Sequence, residues 1–85
     1  MTNRVYEFST WKTDDQSKRM EQIALTAAKN YNGQKFIVSI GEWGVRSFLV
    51  FAENKDEAKQ IAIEYSGIND RVRVRDVTNS KKWNA

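Results

Sequence analysis

The sequence predicts a single α+β domain with elements in the order β-α-β-β-α-β, and three observations predict it. Two stretches carry apolar residues at helical spacing: Met20, Ile23, Ala24, Ala27 and Tyr31, then Ala58, Ile61, Ala62 and Tyr65. Four short segments rich in β-branched and aromatic residues alternate with them in the order of that pattern. Eighty-five residues without a repeat or a proline make one domain, near the lower end of what folds alone.

In chain order, residues 5–11 read as the first strand. Thr13, Asp14, Asp15 and Gln16 then fit a capping box, in which the Thr13 hydroxyl and the Gln16 side chain satisfy free backbone N–H groups. The first apolar stripe follows, and Asn32 and Gly33 stop the helix, because glycine tolerates the left-handed conformation there. At about 1.5 Å per residue this helix is about 27 Å long. Residues 36–40 and 45–51 read as a hairpin turning through Gly41, Glu42, Trp43 and Gly44. Asn54 with Glu57 repeats the N-cap logic for the second helix, which Gly67 closes. Residues 71–77 alternate strictly and form the fourth strand. The domain spans 1–78, and 79–85 reads as a polar, basic C-terminal tail.

This order is that of the ferredoxin-like, or split βαβ, fold. Two right-handed crossovers would place both helices on one face of a four-stranded antiparallel sheet. The other face would stay open, and function or dimerisation is expected there.

Composition narrows the chemistry. The chain has no His and no Cys, so it lacks the usual general base near neutral pH and the most nucleophilic side chain. The acidic pairs Asp14-Asp15 and Asp56-Glu57 each open an expected helix, where they complement the helix dipole. No spacing resembles a calcium loop or a zinc set, and the four glycines sit at expected turns or helix ends. A non-enzymatic protein without cofactor or metal is expected. No apolar run approaches the roughly 18 residues of a membrane span, and the first ten residues lack the apolar run of a signal peptide. A soluble, cytoplasmic protein with no membrane partner follows as the expectation.

Charge supplies the strongest functional cue. The net charge of +3 is unevenly placed: residues 1–70 carry nine basic and ten acidic side chains, and 71–85 carry five basic side chains against Asp76 alone. In the fourth strand Arg71, Arg73 and Arg75 alternate with Val72 and Val74, so the valines face the helices and the guanidiniums face the open side. Three like charges on one strand need partners. Phosphates are one answer, since the planar guanidinium fork binds two oxygens at once. Pairing with Glu7 on a neighbouring first strand is another, a charged guard against edge aggregation a third, and a protein surface a fourth. Lys81, Lys82 and Trp83 extend the feature with a ring that could stack on a base.

The third strand adds a second cue. It is apolar on both sides, with Phe48 and Val50 on one and Leu49 and Phe51 on the other. One pair serves the core, and the other would form an exposed patch for base stacking or homodimerisation.

Strand order and length resemble the RNA-recognition motif, whose third strand carries two exposed aromatics, the second followed by an apolar residue, any residue and a core aromatic. Phe48, Leu49, Val50 and Phe51 match that ending, with Ser47 in the preceding small position. Arg46 stands where the first aromatic belongs and Val45 where a glycine belongs. Tyr6 would fill the stacking position of the first strand, at a parity that turns Glu7 inward. The small, Cys-free, basic chain, rich in Asn and Lys, also resembles phage-encoded counter-defence proteins. It is similar in size and character to phage inhibitors of ToxIN-type toxin–antitoxin endoribonucleases, which act through RNA binding.

These cues define the candidate nucleic-acid-binding residues: Arg46, Phe48, Arg71, Arg73, Arg75, Lys81, Lys82 and Trp83. The expected function is RNA binding without catalysis, by a homodimer that counteracts a host toxin or defence protein. The alternative is a direct protein–protein inhibitor that uses the open sheet face and needs no nucleic acid.

Overall fold

Two strands that are apolar on both sides decide the architecture. A computed structural model describes residues 4–9, 12–42 and 46–84. Its elements are β1 (Val5–Phe8), α1 (Asp15–Lys29), β2 (Lys35–Ile40), β3 (Arg46–Phe51), α2 (Lys55–Ser66), β4 (Arg73–Asp76) and α3 (Lys81–Asn84). The four strands form one antiparallel sheet in the order β1-β3-β2-β4. β2 and β3 occupy the centre, and Phe36, Val38, Ile40, Phe48, Leu49 and Val50 on them are all fully buried.

The α+β class and the four-stranded antiparallel sheet agree with the sequence. The placement of both helices on one face does not. In the ferredoxin-like arrangement the last strand lies beside the first; here β4 pairs with β2 and β1 lies at the far edge. The β1-to-β2 and β3-to-β4 connections therefore both step the same way across the sheet, while β1 and β3 run in opposite directions. Connections of one hand then require opposite faces. Two separate cores record this. Ala24 and Ala28 of α1 pack with Phe8, Ile37, Leu49, Phe51, Val77 and Trp83. Ala58 and Ala62 of α2 pack with Phe36, Val38, Ile40, Phe48 and Val50 on the other side. The expected open face, with an apolar patch for stacking or dimerisation, is thus occupied by a helix.

Residues beyond Asn79 also differ from the expected tail. Lys81–Asn84 form a helical turn on the α1 side, and the Trp83 ring is buried 5.2 Å from that of Phe8. One large aromatic can dock a polar segment, because burying a Trp ring removes roughly 150–250 Å² from water.

Local signals set both ends of α2. Asn54 caps α2 by accepting from the Glu57 N–H at 2.8 Å, and Gly67 ends it at φ 73°. α1 is shorter than expected, with Asp14 rather than Thr13 as N-cap and Asn30 as C-cap. Tyr31 leaves the helix to stack on Phe51, ring centroids 4.0 Å apart and nearly parallel. A Cβ at Gly33 would lie 2.5 Å from that ring, so glycine there makes room for the tyrosine. Trp11, Trp43, Gly44 and Val45 lie outside the described residues. Among the described residues no helix is long and apolar enough to cross a membrane.

Candidate anion-binding edge

β4 is an edge strand, and its two sides are unlike. Val72 and Val74 turn toward α2 and join its core. Arg73 and Arg75 turn to the α1 side, opposite Ser39 and Ile37 of β2, and both are exposed. Residues two apart on a strand put their side chains about 6.7 Å from one another. Neither arginine has an ion-pair partner among the described residues. The expected pairing with Glu7 does not occur, since β1 and β4 are opposite edges.

Beside Arg75 lies a shallow groove of about 530 Å³ lined by Asp76, Asn79, Ser80, Lys82 and Trp83. Lys81 lines a neighbouring hollow with Thr78 and Asn84. The loop that separates them is fixed by an internal latch. Lys35, buried at 3% exposure, donates from Nζ to Asn84 Oδ1 at 2.6 Å. The Asn84 amide then donates to the Ser80 carbonyl at 2.6 Å and to that of Val77 at 3.3 Å. Nothing local in the sequence marks Lys35 as a buried ammonium or Asn84 as its acceptor; the contact spans 49 positions.

Two acidic groups temper the field here. Asp76 accepts from the Thr78 N–H at 2.9 Å, and the Thr78 hydroxyl and N–H hold its carboxyl below the usual aspartate range. Glu21 of α1 lies 4.0 Å from the Lys82 ammonium, which also sits 5.5 Å from the centroid of the Trp83 ring. The Lys82 pair is half exposed and loose, so water and a phosphate can both compete for it.

The remaining candidates are placed elsewhere. Phe48 is fully buried under α2, and Trp83 is 3% exposed, so neither ring presents a face for base stacking. Arg46 donates from Nε and Nη2 to the two Glu7 oxygens, each at 2.9 Å, and lies over the Phe48 ring. That bidentate pair, chiefly through the hydrogen bond itself, raises the guanidinium pKa above its ordinary value. Arg71 sits in the turn before β4 at φ 49°, with its guanidinium 3.5 Å from Asp70 and 3.8 Å from Glu42. Of the eight residues, the structure brings Arg73, Arg75, Lys81 and Lys82 to one edge.

Among the described residues no three acidic side chains gather where they could hold a metal ion. Comparison with protein-family models, with curated proteins and with solved structures gave no match.

Proposed function

We propose that the protein binds single-stranded RNA through its backbone, without catalysis, and that the β4 edge is the contact surface. The observation that carries this reading is the pair Arg73 and Arg75, exposed on one side of an edge strand and free of ion-pair partners among the described residues. Their spacing of about 6.7 Å allows each fork to take a different phosphate of an extended strand. Lys82 and Lys81 continue the positive edge onto α3. With Phe48 and Trp83 in the cores, stacking has no part in the reading, and affinity rests on charge. Binding of this kind, directed at RNA held or cut by a host defence factor such as a toxin–antitoxin endoribonuclease, is the role that the phage resemblance supports.

Salt titration tests it. Three or four phosphate contacts on single-stranded RNA give a slope of log K against log salt of about −2 to −3. Arg73→Ala and Arg75→Ala should each flatten the slope by about 0.7 and change stability by no more than about 0.5 kcal/mol. Fluorescence anisotropy with labelled oligouridylate reads the first quantity and urea unfolding the second. A flat salt response, or slopes unmoved by both substitutions, would take the β4 edge out of the reading.

A further inference from the structure

The opposite edge of the sheet carries a different surface. Phe51 donates its N–H to the Arg4 carbonyl, and Val5 pairs with Val50 in the next step of the ladder. Hydrogen-bonded and non-hydrogen-bonded pairs alternate between antiparallel strands. Tyr6 and Phe8 therefore bond inward to β3, and the N–H and C=O groups of Val5 and Glu7 point outward. Among the described residues no strand takes them up. The usual guards of an edge are weak here: β1 holds no lysine and no proline, and its one charge, Glu7, is engaged by Arg46.

Alongside that edge runs a groove of about 380 Å³ between β1 and α1, lined by Tyr6, Arg19, Gln22, Ile23, Thr26 and Ala27. Ile23 is 53% exposed, one of two large apolar side chains so exposed among the described residues. Arg19 lies one helical turn, about 5.4 Å, before it, and has no ion-pair partner among the described residues. Same-face side chains of an extended chain recur every 6.7 Å or so. A segment lying on β1 would thus set one side chain at Ile23 and the next same-face one near Arg19.

We propose that the β1 edge docks an extended peptide segment of a partner protein, added to the sheet as a strand. The segment places an aliphatic side chain against Tyr6 and Ile23 and a carboxylate, two residues away, on Arg19. Backbone bonds to Val5 and Glu7 supply affinity and the groove supplies selectivity. A second copy of this chain is a poorer occupant. The one carboxylate of β1, Glu7, is held by Arg46 of its own chain, so a second β1 brings none to Arg19. A polyanion is poorer still, because the groove offers one cation and an apolar floor.

The test is an amide NMR titration with the capped peptide acetyl-Thr-Asp-Thr-Leu-Thr-Asp-Thr-amide, and with a version carrying Lys at both Asp positions. Saturable shifts at Val5–Phe8 and along α1 from Arg19, with slowed hydrogen exchange at Val5 and Glu7, are expected. The Lys version should bind about fivefold more weakly. Arg19→Glu, an exposed substitution, should reverse that preference, and Ile23→Ser should weaken both peptides. Four results would overturn the proposal: no saturable shift at millimolar peptide, equal binding of the two peptides, shifts centred on β4, or concentration-dependent self-association that buries β1.

Discussion

β1 and β4 are both four residues long and both lie at an edge of the same sheet, yet they are built on opposite terms. β4 carries two exposed arginines on one side, and its end leads into a lysine-bearing turn of helix. β1 carries Val5, Tyr6 and Phe8, with Glu7 turned onto Arg46. A strand lined with like charges repels another strand and attracts anions; a strand without them leaves its backbone open to pairing. One sheet thus presents an ionic edge and a hydrogen-bonding edge, on opposite sides of a core shielded by helices on both faces.

The sharpest way to break this contrast is at Trp83, which floors the β4 groove. Trp83→Ala should lower the free energy of unfolding by about 3–5 kcal/mol, read by urea or thermal denaturation. A loss below about 1 kcal/mol would mean that α3 is not docked, and Lys82 would leave the ionic edge. A smaller effect tests the other side. In a double-mutant cycle of Glu7→Gln and Arg46→Met, the coupling should be about 1 kcal/mol, since the pair is bidentate but still about one third exposed. Zero coupling would leave Glu7 free to guard the β1 edge, and the contrast would weaken.

The smallest effect concerns acid. The folded-state pKa of Asp76 is depressed, so its contribution is present above the ordinary aspartate pKa and is lost as pH falls through the folded value. Asp76→Asn should therefore lower stability slightly near neutrality and make it less dependent on pH below the ordinary aspartate pKa of 3.8. An unchanged acid limb would show that the turn from β4 into α3 does not need the carboxylate.

Most elements were legible, for local reasons. Asn54, Glu57 and Gly67 bound α2 through groups a few residues apart, and period-2 alternation placed Val74 on one side of β4 and Arg73 and Arg75 on the other. The strand order also has a local signature in the sequence. The apolar runs Phe36-Ile37-Val38 and Phe48-Leu49-Val50-Phe51 are those of strands buried on both faces, whereas the alternating Arg71–Arg75 stretch is that of an edge. Two central strands of that kind need a helix on each face. Reading β3 as half exposed left an apolar face that the structure covers with α2, and with it went Phe48 as a stacking residue.

The sequence by itself determined α1, α2 and the four strands, the opposition of arginines and valines across β4, and the concentration of positive charge after residue 70. These depend on capping, periodicity and composition, which act over a few residues. The tertiary structure alone decided which edge β4 occupies, that Trp83 packs on Phe8, that Arg46 pairs with Glu7, and that Lys35 holds Asn84. Each of those joins residues 34 or more positions apart, and two faces of one sheet competed for the same helices. Burial of both apolar faces of β2 and β3 settled that competition, and so fixed which charges were left at the edges.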